Sequence, residues 1–366
     1  MKIEAITNFD DFLKLEQDWN SVLESSGSDH VCLTFEWFKA WWQSFGENKQ
    51  LFVLRIKDGN EVIGMAPLMI ERSSYRGIPV REMKFIENEN SPKSDFIISK
   101  SPEKALDAIF EVFIEHKNIW DLIRLNNIPR ESPNFEILQK SAKNHDLLFG
   151  VKEGYFSPFV KIDKSWNVYY EGLSKKFQKY LRYKTNKASR KGGFEIKKIE
   201  NLSNNREILQ KISEISKNSW KGKIKRDIAC TPTNQLFFER LTRIAESKGW
   251  LNIWLLEING QTVAYEYKLH YKNSVCGMRS DFDEKYDDIS PGAVLRLGVL
   301  KNAFEDNLKE FDMGAGEQLY KKNWTDDTRE HARVLVYKKD LLGYILYFIE
   351  FRVIVFLKKL NVTLYF

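Results

Sequence analysis

The stretch Phe311-Asp-Met-Gly-Ala-Gly-Glu-Gln-Leu-Tyr-Lys-Lys-Asn-Trp324 gathers carboxylates, a phenol and ammonium groups around two glycines. That mixture can carry protons and stabilise charge. Phe311 to Met313 predicts a short strand that ends in a flexible glycine turn, and strand ends of this kind commonly line sites. Asp312 is suited to orient or deprotonate an acceptor, Tyr320 to act as a general acid, and Lys321 to stabilise developing negative charge. Glu317 and Trp324 would border the substrate. Taken alone, the same segment also fits a loop whose Lys and Tyr are merely solvated.

A second candidate is Asp287-Asp-Ile-Ser-Pro-Gly-Ala-Val-Leu295, which follows a predicted strand (Val275 to Ser280) and opens a predicted helix. Ser290 takes the N-cap position, Pro291 the first helical position, and Gly292 with Ala293 lets backbone amides approach a ligand closely. Such a helix start can hold an anion, including a pyrophosphate such as that of coenzyme A. An ordinary helix capped by Ser-Pro has the same local sequence.

The third is Lys175-Lys-Phe-Gln-Lys-Tyr-Leu-Arg-Tyr-Lys-Thr-Asn-Lys-Ala-Ser-Arg-Lys191, with eight cationic residues and interleaved aromatics. Phe177, Tyr180, Leu181 and Lys184 recur at helical spacing, so one face is expected to pack inward while the rest is solvated. Arg182, with Lys184 and Arg190, is the anionic-substrate contact this helix offers. Glu266 and Asp281, on or beside predicted strands, are reserve candidates for a base and for substrate contact, with a charge at the rim as the plainer reading.

Other chemistries lack support in the sequence. The histidines, His30, His116, His145, His270 and His331, show no metal-ligand spacing, so no metal is expected. No glycine-serine nucleophile elbow occurs, and Cys32, Cys230 and Cys276 stand in no recognisable catalytic context, which points to direct transfer from a bound donor. Three well-separated cysteines also argue against a disulfide framework and fit a reducing cytoplasm.

The elements that must position these residues occur as a pair. Leu51 to Leu68 and Ile253 to Leu269 both read as β-hairpins around Asp-Gly and Asn-Gly turns, with the small residues Gly64 and Ala264 in matching places. Another strand, helices and a short strand follow each hairpin, which suggests a repeated domain; coincidence between two common turns is the alternative. Helices are predicted over Trp37–Phe45, Pro102–His116, Ser132–His145, Leu173–Lys191, Arg206–Trp220, Thr233–Lys248 and Pro291–Asn307. The expected fold class is α/β (α+β): two tandem domains, 1–154 and 155–340, each a mixed, mainly antiparallel sheet flanked by helices.

The 366 residues, 43% apolar and 14% aromatic, are ample for two cores. With 57 Lys and Arg against 51 Asp and Glu, the net charge of +6 is too small to imply nucleic-acid binding by itself. The N-terminus carries Glu4, Asp10 and Asp11 where a secretory signal would be uninterruptedly apolar. Residues 341–366 form a third segment whose apolar run, Leu341 to Leu357, is broken by Glu350 and Arg352 and is short for a bilayer span. It reads as a buried or interfacial helix, resting on a membrane surface or packed against protein.

Together these motifs resemble the CelD-like acetyltransferases of the GNAT superfamily, relatives of the Fem peptidyltransferases. The likeness rests on Phe35-Glu-Trp-Phe-Lys-Ala-Trp-Trp42, Gly64-Met-Ala-Pro-Leu68, Leu173-Ser-Lys-Lys-Phe with Arg182 and Gly192-Gly193, Ser290-Pro-Gly292, and Asp312 through Tyr320-Lys-Lys-Asn-Trp324. The resemblance implies two GNAT-like domains and an acyl-CoA donor, acetyl-CoA above all. It also implies an amine or hydroxyl acceptor on a small molecule, sugar or peptide, in polysaccharide or envelope synthesis. By position Ser290, Gly292 and Ala293 match the donor-binding helix start, and Lys321 the lysine that Fem-type enzymes use near the transferred carbonyl. The usual donor loop has Arg or Gln before two spaced glycines, and this sequence departs from it. Aminoacyl transfer from charged tRNA, with the basic helix as its contact, and a non-catalytic binding role in an envelope pathway are the alternatives.

Overall fold

Two short glycine turns, each between runs of alternating apolar residues, set the strand pairing of both halves. The structure, a computed structural model, describes residues 1–199, 205–224, 228–316 and 318–359. The chain divides into one unit of Met1–Tyr155 with Glu330–Phe366 and another of Phe156–Arg329.

The first unit begins with strand β1 (Lys2–Ile6) and helices α1 (Phe9–Leu13), α2 (Glu16–Ser25) and α3 (Phe35–Phe45). Strands β2 (Gln50–Leu51), β3 (Val53–Asp58), β4 (Glu61–Ala66), β5 (Leu68–Tyr75), β6 (Ile78–Phe85) and β7 (Ile97–Ile98) follow. Helix α4 (Pro102–Glu115), strand β8 (Leu122–Pro129), helix α5 (Phe135–Asn144) and strand β9 (Leu148–Lys161) complete this run. The second unit contains α6 (Trp166–Gly172), α7 (Lys175–Ser189), β10 (Phe194–Ile199), α8 (Asn205–Lys217), α9 (Trp220–Lys223) and α10 (Pro232–Ser247). It continues with β11 (Leu251–Ile258), β12 (Gln261–Tyr271), β13 (Ser274–Phe282), α11 (Pro291–Glu305) and β14 (Glu310–Asp312). The chain ends with β15 (Thr328–Tyr337), α12 (Leu341–Phe348), a π-helical turn (Ile349–Val353) and α13 (Ile354–Lys359). Whereas the sequence reading carries the second domain to residue 340, the second unit stops at Arg329, and the apolar strand 330–337 belongs with the first.

In the first unit β1, β3, β4 and β7 pair antiparallel in that order. A second set runs β15-β8-β6-β5-β2, parallel only between β6 and β8. Helices α4 and α5 bury Leu106, Ile109, Phe110 and Leu138 in its core with Phe85, Phe96 and Trp120. In the second unit β10, β11, β12 and β13 pair antiparallel, β14 joins β13 in parallel, and β9 pairs antiparallel with β14. The fold class is therefore α/β with mixed, mainly antiparallel sheets flanked by helices.

The two hairpins share more than their turns. Gly59 in one and Asn259 with Gly260 in the other take positive φ, and each hairpin slips register two residues before its first strand ends, at Ile56/Lys57 and Leu256/Glu257. Gly64 stands opposite Ile56 and Ala264 opposite Leu256. A Cβ at Gly64 would come within 2.8 Å of the Ile56 side chain and 3.2 Å of the Ile97 carbonyl, so this place requires a minimal side chain.

Candidate active site

In the second unit, the strand-to-turn junction at β14 is held from both sides. Asp312 is buried, and its carboxylate accepts hydrogen bonds from Ser157 Oγ at 3.0 Å and from the Gly314 amide at 2.6 Å, with Arg329 Nη1 at 3.7 Å. Gly314 has φ of +79°, and a Cβ on the facing Gly277 would lie 2.9 Å from the Asp312 carbonyl. Glycines at these two places let β13 and the turn after β14 approach closely.

The turn's carbonyls receive Lys321. Its Nζ donates to the Gly314 carbonyl at 2.7 Å and the Ala315 carbonyl at 2.9 Å, and the side chain is buried. Burial, reinforced by the nearby Arg296 guanidinium, lowers its pKa to about 7. Two of the three tetrahedral positions on nitrogen are thus occupied by donated hydrogens. The third holds a proton in the ammonium form and a lone pair in the amine form, so the group can give or take a proton near neutral pH.

Arg296 is the residue that sequence reasoning missed. It extends from the apolar run Val294–Leu300 of α11 and is buried, donating from Nε to Glu266 Oε1 at 2.7 Å. Lys268 Nζ lies 3.1 Å from Glu266 Oε2 and 4.2 Å from the centre of the Phe311 ring. Although burial opposes its charge, Arg296 and Lys268 together hold the Glu266 carboxyl below the usual range. The Tyr320 ring, half exposed, lies 5.6 Å from the guanidinium carbon, and Nη1 of Arg296 has no hydrogen-bond partner among the described residues. A lone arginine in an apolar helical run was the available signal, because a buried charge needs a reason.

Glu266 is therefore an interior carboxylate between two cations, where the plainer sequence reading put a rim charge. Asp281 is interior too. It accepts from Ser216 Oγ and Tyr265 Oη, each at 2.9 Å, and pairs with Lys221 Nζ at 2.8 Å. Asp281 stands opposite Tyr265 in the β12–β13 register, and Glu266, the next residue, points to the other face of the sheet. The two carboxylates thus belong to separate clusters, although Lys221 adds to the positive field that depresses Lys321.

Helix α7 joins the helix start to the Lys321 segment. Phe177 and Leu181 are buried; Phe177 meets Trp324 edge-on at 5.0 Å, and one turn later Tyr180 donates from Oη to Ser290 Oγ at 2.7 Å. Lys184 donates to the Asp288 carbonyl at 2.8 Å, and Lys187 and Lys191 pair with its carboxylate at 3.1 and 2.9 Å. Trp324 is buried, its carbonyl accepting from Tyr169 Oη at 2.8 Å. Ser290 does occupy the N-cap position before Pro291, but with φ of +52° and without a side-chain capping bond. The Ala293 amide donates to the Ser290 carbonyl at 3.0 Å. Ser290 and Gly292, Tyr320, Lys321 and Trp324 are thereby gathered around α7 and α11. Arg182 lies on the exposed face of α7, and Glu317 falls outside the described residues.

Most of this geometry lies within a stretch that matches a known family model. Residues 175–322, from the start of α7 through Lys322, match the family model described as an acetyltransferase (GNAT) domain. The fold is GNAT-like and similar to that of the Fem proteins. Among solved structures, FemX superposes with a TM-score of 0.63 at 13% identity, over 94% of this chain and 99% of that one. A conserved protein of unknown function from Bacteroides thetaiotaomicron VPI-5482 gives 0.57 at 12% identity, over 92% and 100%. A tandem GNAT protein from the clavulanic acid biosynthesis pathway gives 0.51 at 8%, over 91% and 98%. No curated protein matches the chain in sequence.

Proposed function

We propose that the second unit transfers an acyl group, acetyl in the simplest case, from acyl-CoA to an amine or hydroxyl of a small molecule, sugar or peptide. The observation that carries this reading is Lys321: a buried amine with pKa near 7, fixed on the Gly314–Ala315 carbonyls beside an arginine of α11.

The residues at the α11 start fit an anionic carrier. A Cβ at Gly292 would meet only Phe282, at 3.6 Å, so the glycine relieves no internal clash. Lys184, Lys187 and Lys191 converge on Asp288 and offset its charge at the turn. The Ser290 hydroxyl and the Gly292 backbone, with these lysines, would hold the phosphates, Ala293 bordering them with its amide already donated to the Ser290 carbonyl, and bound acyl-CoA supplies an acyl carbon activated as a thioester. Arg296 polarises the carbonyl through its unpartnered Nη1. Lys321 in its amine form takes the proton of the attacking nitrogen or oxygen as the new bond to carbon forms. Tyr320 returns a proton to the departing sulfur as the carbon–sulfur bond breaks. Asp312 orients the turn, while Glu266 with Lys268 holds Arg296. Arg182 and Glu317 remain as substrate contacts, whereas Asp281 and Trp324, buried among partners of their own, support the fold around the site.

The CelD resemblance supports an acceptor in polysaccharide or envelope synthesis, and the three well-separated cysteines support a cytoplasmic setting. The experiment is thiol release across acyl-CoA chain lengths against pooled amine and hydroxyl acceptors. Lys321→Ala should lower turnover at least ~100-fold with donor KM changed less than about 3-fold. Undiminished turnover in that variant would remove Lys321 from the reaction. A second reading, transfer from aminoacyl-tRNA, is favoured by the exposed cations and Tyr183 on α7; activity abolished by ribonuclease would replace the first reading with this one.

A further inference from the structure

The helical segment that closes the chain has two unlike sides. Inward, Leu346 is buried with Tyr75, Val80, Leu122, Leu335 and Tyr337 of the first unit's strands, and Leu342, Tyr347 and Phe351 pack against the same cluster. Glu350 is fully buried between Arg76, whose Nε lies 2.8 Å from it, and Lys152, which also bonds it directly. These contacts fix the rotation of the helix about its own axis.

The outward side is apolar where a surface helix would be polar. Leu341 is 79% exposed, Phe348 58% and Phe356 61%, with Tyr344, Ile345 and Val355 also exposed. Their positions, with exposed Arg352, follow the spacing i, i+3, i+4, i+7, i+11, i+14 and i+15, so all seven share one stripe along the segment. The charges are as uneven as the apolar groups. Glu350 is the only carboxylate from Leu341 to Lys359, and it faces inward against two cations; Arg352 faces outward, and Lys358 and Lys359 follow in sequence. Among the described residues no helix is long and apolar enough to cross a membrane.

We propose that this stripe is a docking surface for an anionic lipid bilayer, with the helix lying in the plane of the interface. Large apolar side chains on one face, aromatic residues among them, and cations without a carboxylate along the outward stripe beyond the Asp340 cap are what an interfacial helix needs. A protein partner covering the stripe would meet the same apolar groups, but would gain nothing from the absence of any outward carboxylate. The buried Glu350 pairings keep the stripe turned outward whether or not lipid is present.

The test uses the full chain and vesicles of phosphatidylcholine with 30% phosphatidylglycerol, about that fraction being enough to give an anionic surface. In flotation, the wild-type protein should rise with these vesicles. The exposed double variant Phe348→Ser/Phe356→Ser, whose changed side chains lie outside the core, should show at least a ~10-fold lower bound-to-free ratio with unchanged thermal melting. Wild-type protein that stays at the bottom, or a double variant that floats equally well, would overturn the proposal. So would a wild-type dimer by light scattering that becomes a monomer in the double variant without any flotation, because a second copy would then own the stripe. Equal flotation with pure phosphatidylcholine would overturn the part assigned to the cations.

Discussion

A lysine with two of its hydrogens donated to fixed carbonyls presents its last tetrahedral position in one direction, and Lys321 does so at a pKa near 7. If its amine form accepts the acceptor's proton, turnover should rise with pH through about 7 and level off above it. Lys321→Arg, charged throughout, should flatten that limb as well as lower the rate. The same shift has a stability consequence of definite sign. The ordinary lysine value of 10.5 lies above the folded value, so the unfolded chain binds the extra proton between about 7 and 10.5, and stability rises with pH in that window. Urea midpoints at several pH values should show Lys321→Met losing that slope relative to the wild type. Glu266 invites a different outcome. Its replacement by Ala leaves Arg296 and Lys268 buried without their shared carboxylate, which should cost about 3–5 kcal/mol in chemical denaturation.

At the scale of elements, α11 combines the proposed donor-binding tip with an anchoring interior. Because a Cβ at Gly292 meets only an ordinary contact, Gly292→Ala should leave the melting temperature unchanged or slightly raised, alanine being the better helix former by about 1 kcal/mol. Under the proposed reading the donor KM should rise at least ~10-fold with kcat nearly unchanged, since the added methyl obstructs a ligand and not the protein. Unaltered donor KM would mean that the carrier's phosphates sit elsewhere. The closing helix carries its own titration. Burial opposes ionisation of Glu350, but bonds from Arg76 and Lys152 outweigh it and bring the pKa to about 2. The sign is that of a depressed carboxylate: its contribution is complete above the unfolded value of 4.5 and fades as pH falls toward 2. Glu350→Gln should therefore lose about 2–3 kcal/mol at pH 7 and be less acid-sensitive between pH 4.5 and 2 than the wild type, as followed by circular dichroism.

For the whole molecule, the chain leaves the first unit after Tyr155 and returns to it at Glu330. A fragment of residues 1–155 lacks β15, which supplies Ala332, Val334 and Val336 to that unit's main core, and lacks the helix that covers Tyr75 and Val80. Such a fragment should be insoluble or molten, and adding residues 330–359 in trans or by circular permutation should restore a cooperative melt. The duplicated hairpins, the helix periodicities and the short strand before the glycine turn were legible because each depends on local periodicity and turn chemistry alone. The domain limit at residue 340 was not legible, since an apolar strand carries no label naming the sheet that will receive it.

Sequence by itself determined the class of fold, the order of elements and the segments proposed to hold the chemistry, because glycine turns, proline helix starts and apolar spacing act within a few residues. Tertiary structure alone decided which charges are interior. It turned Glu266 and Asp281 from surface candidates into the centres of two buried clusters, brought Arg296 beside Tyr320, and lowered the pKa of Lys321 by enclosing it. Those outcomes depend on burial and on neighbours distant in the chain, and a buried charge is defined by what surrounds it.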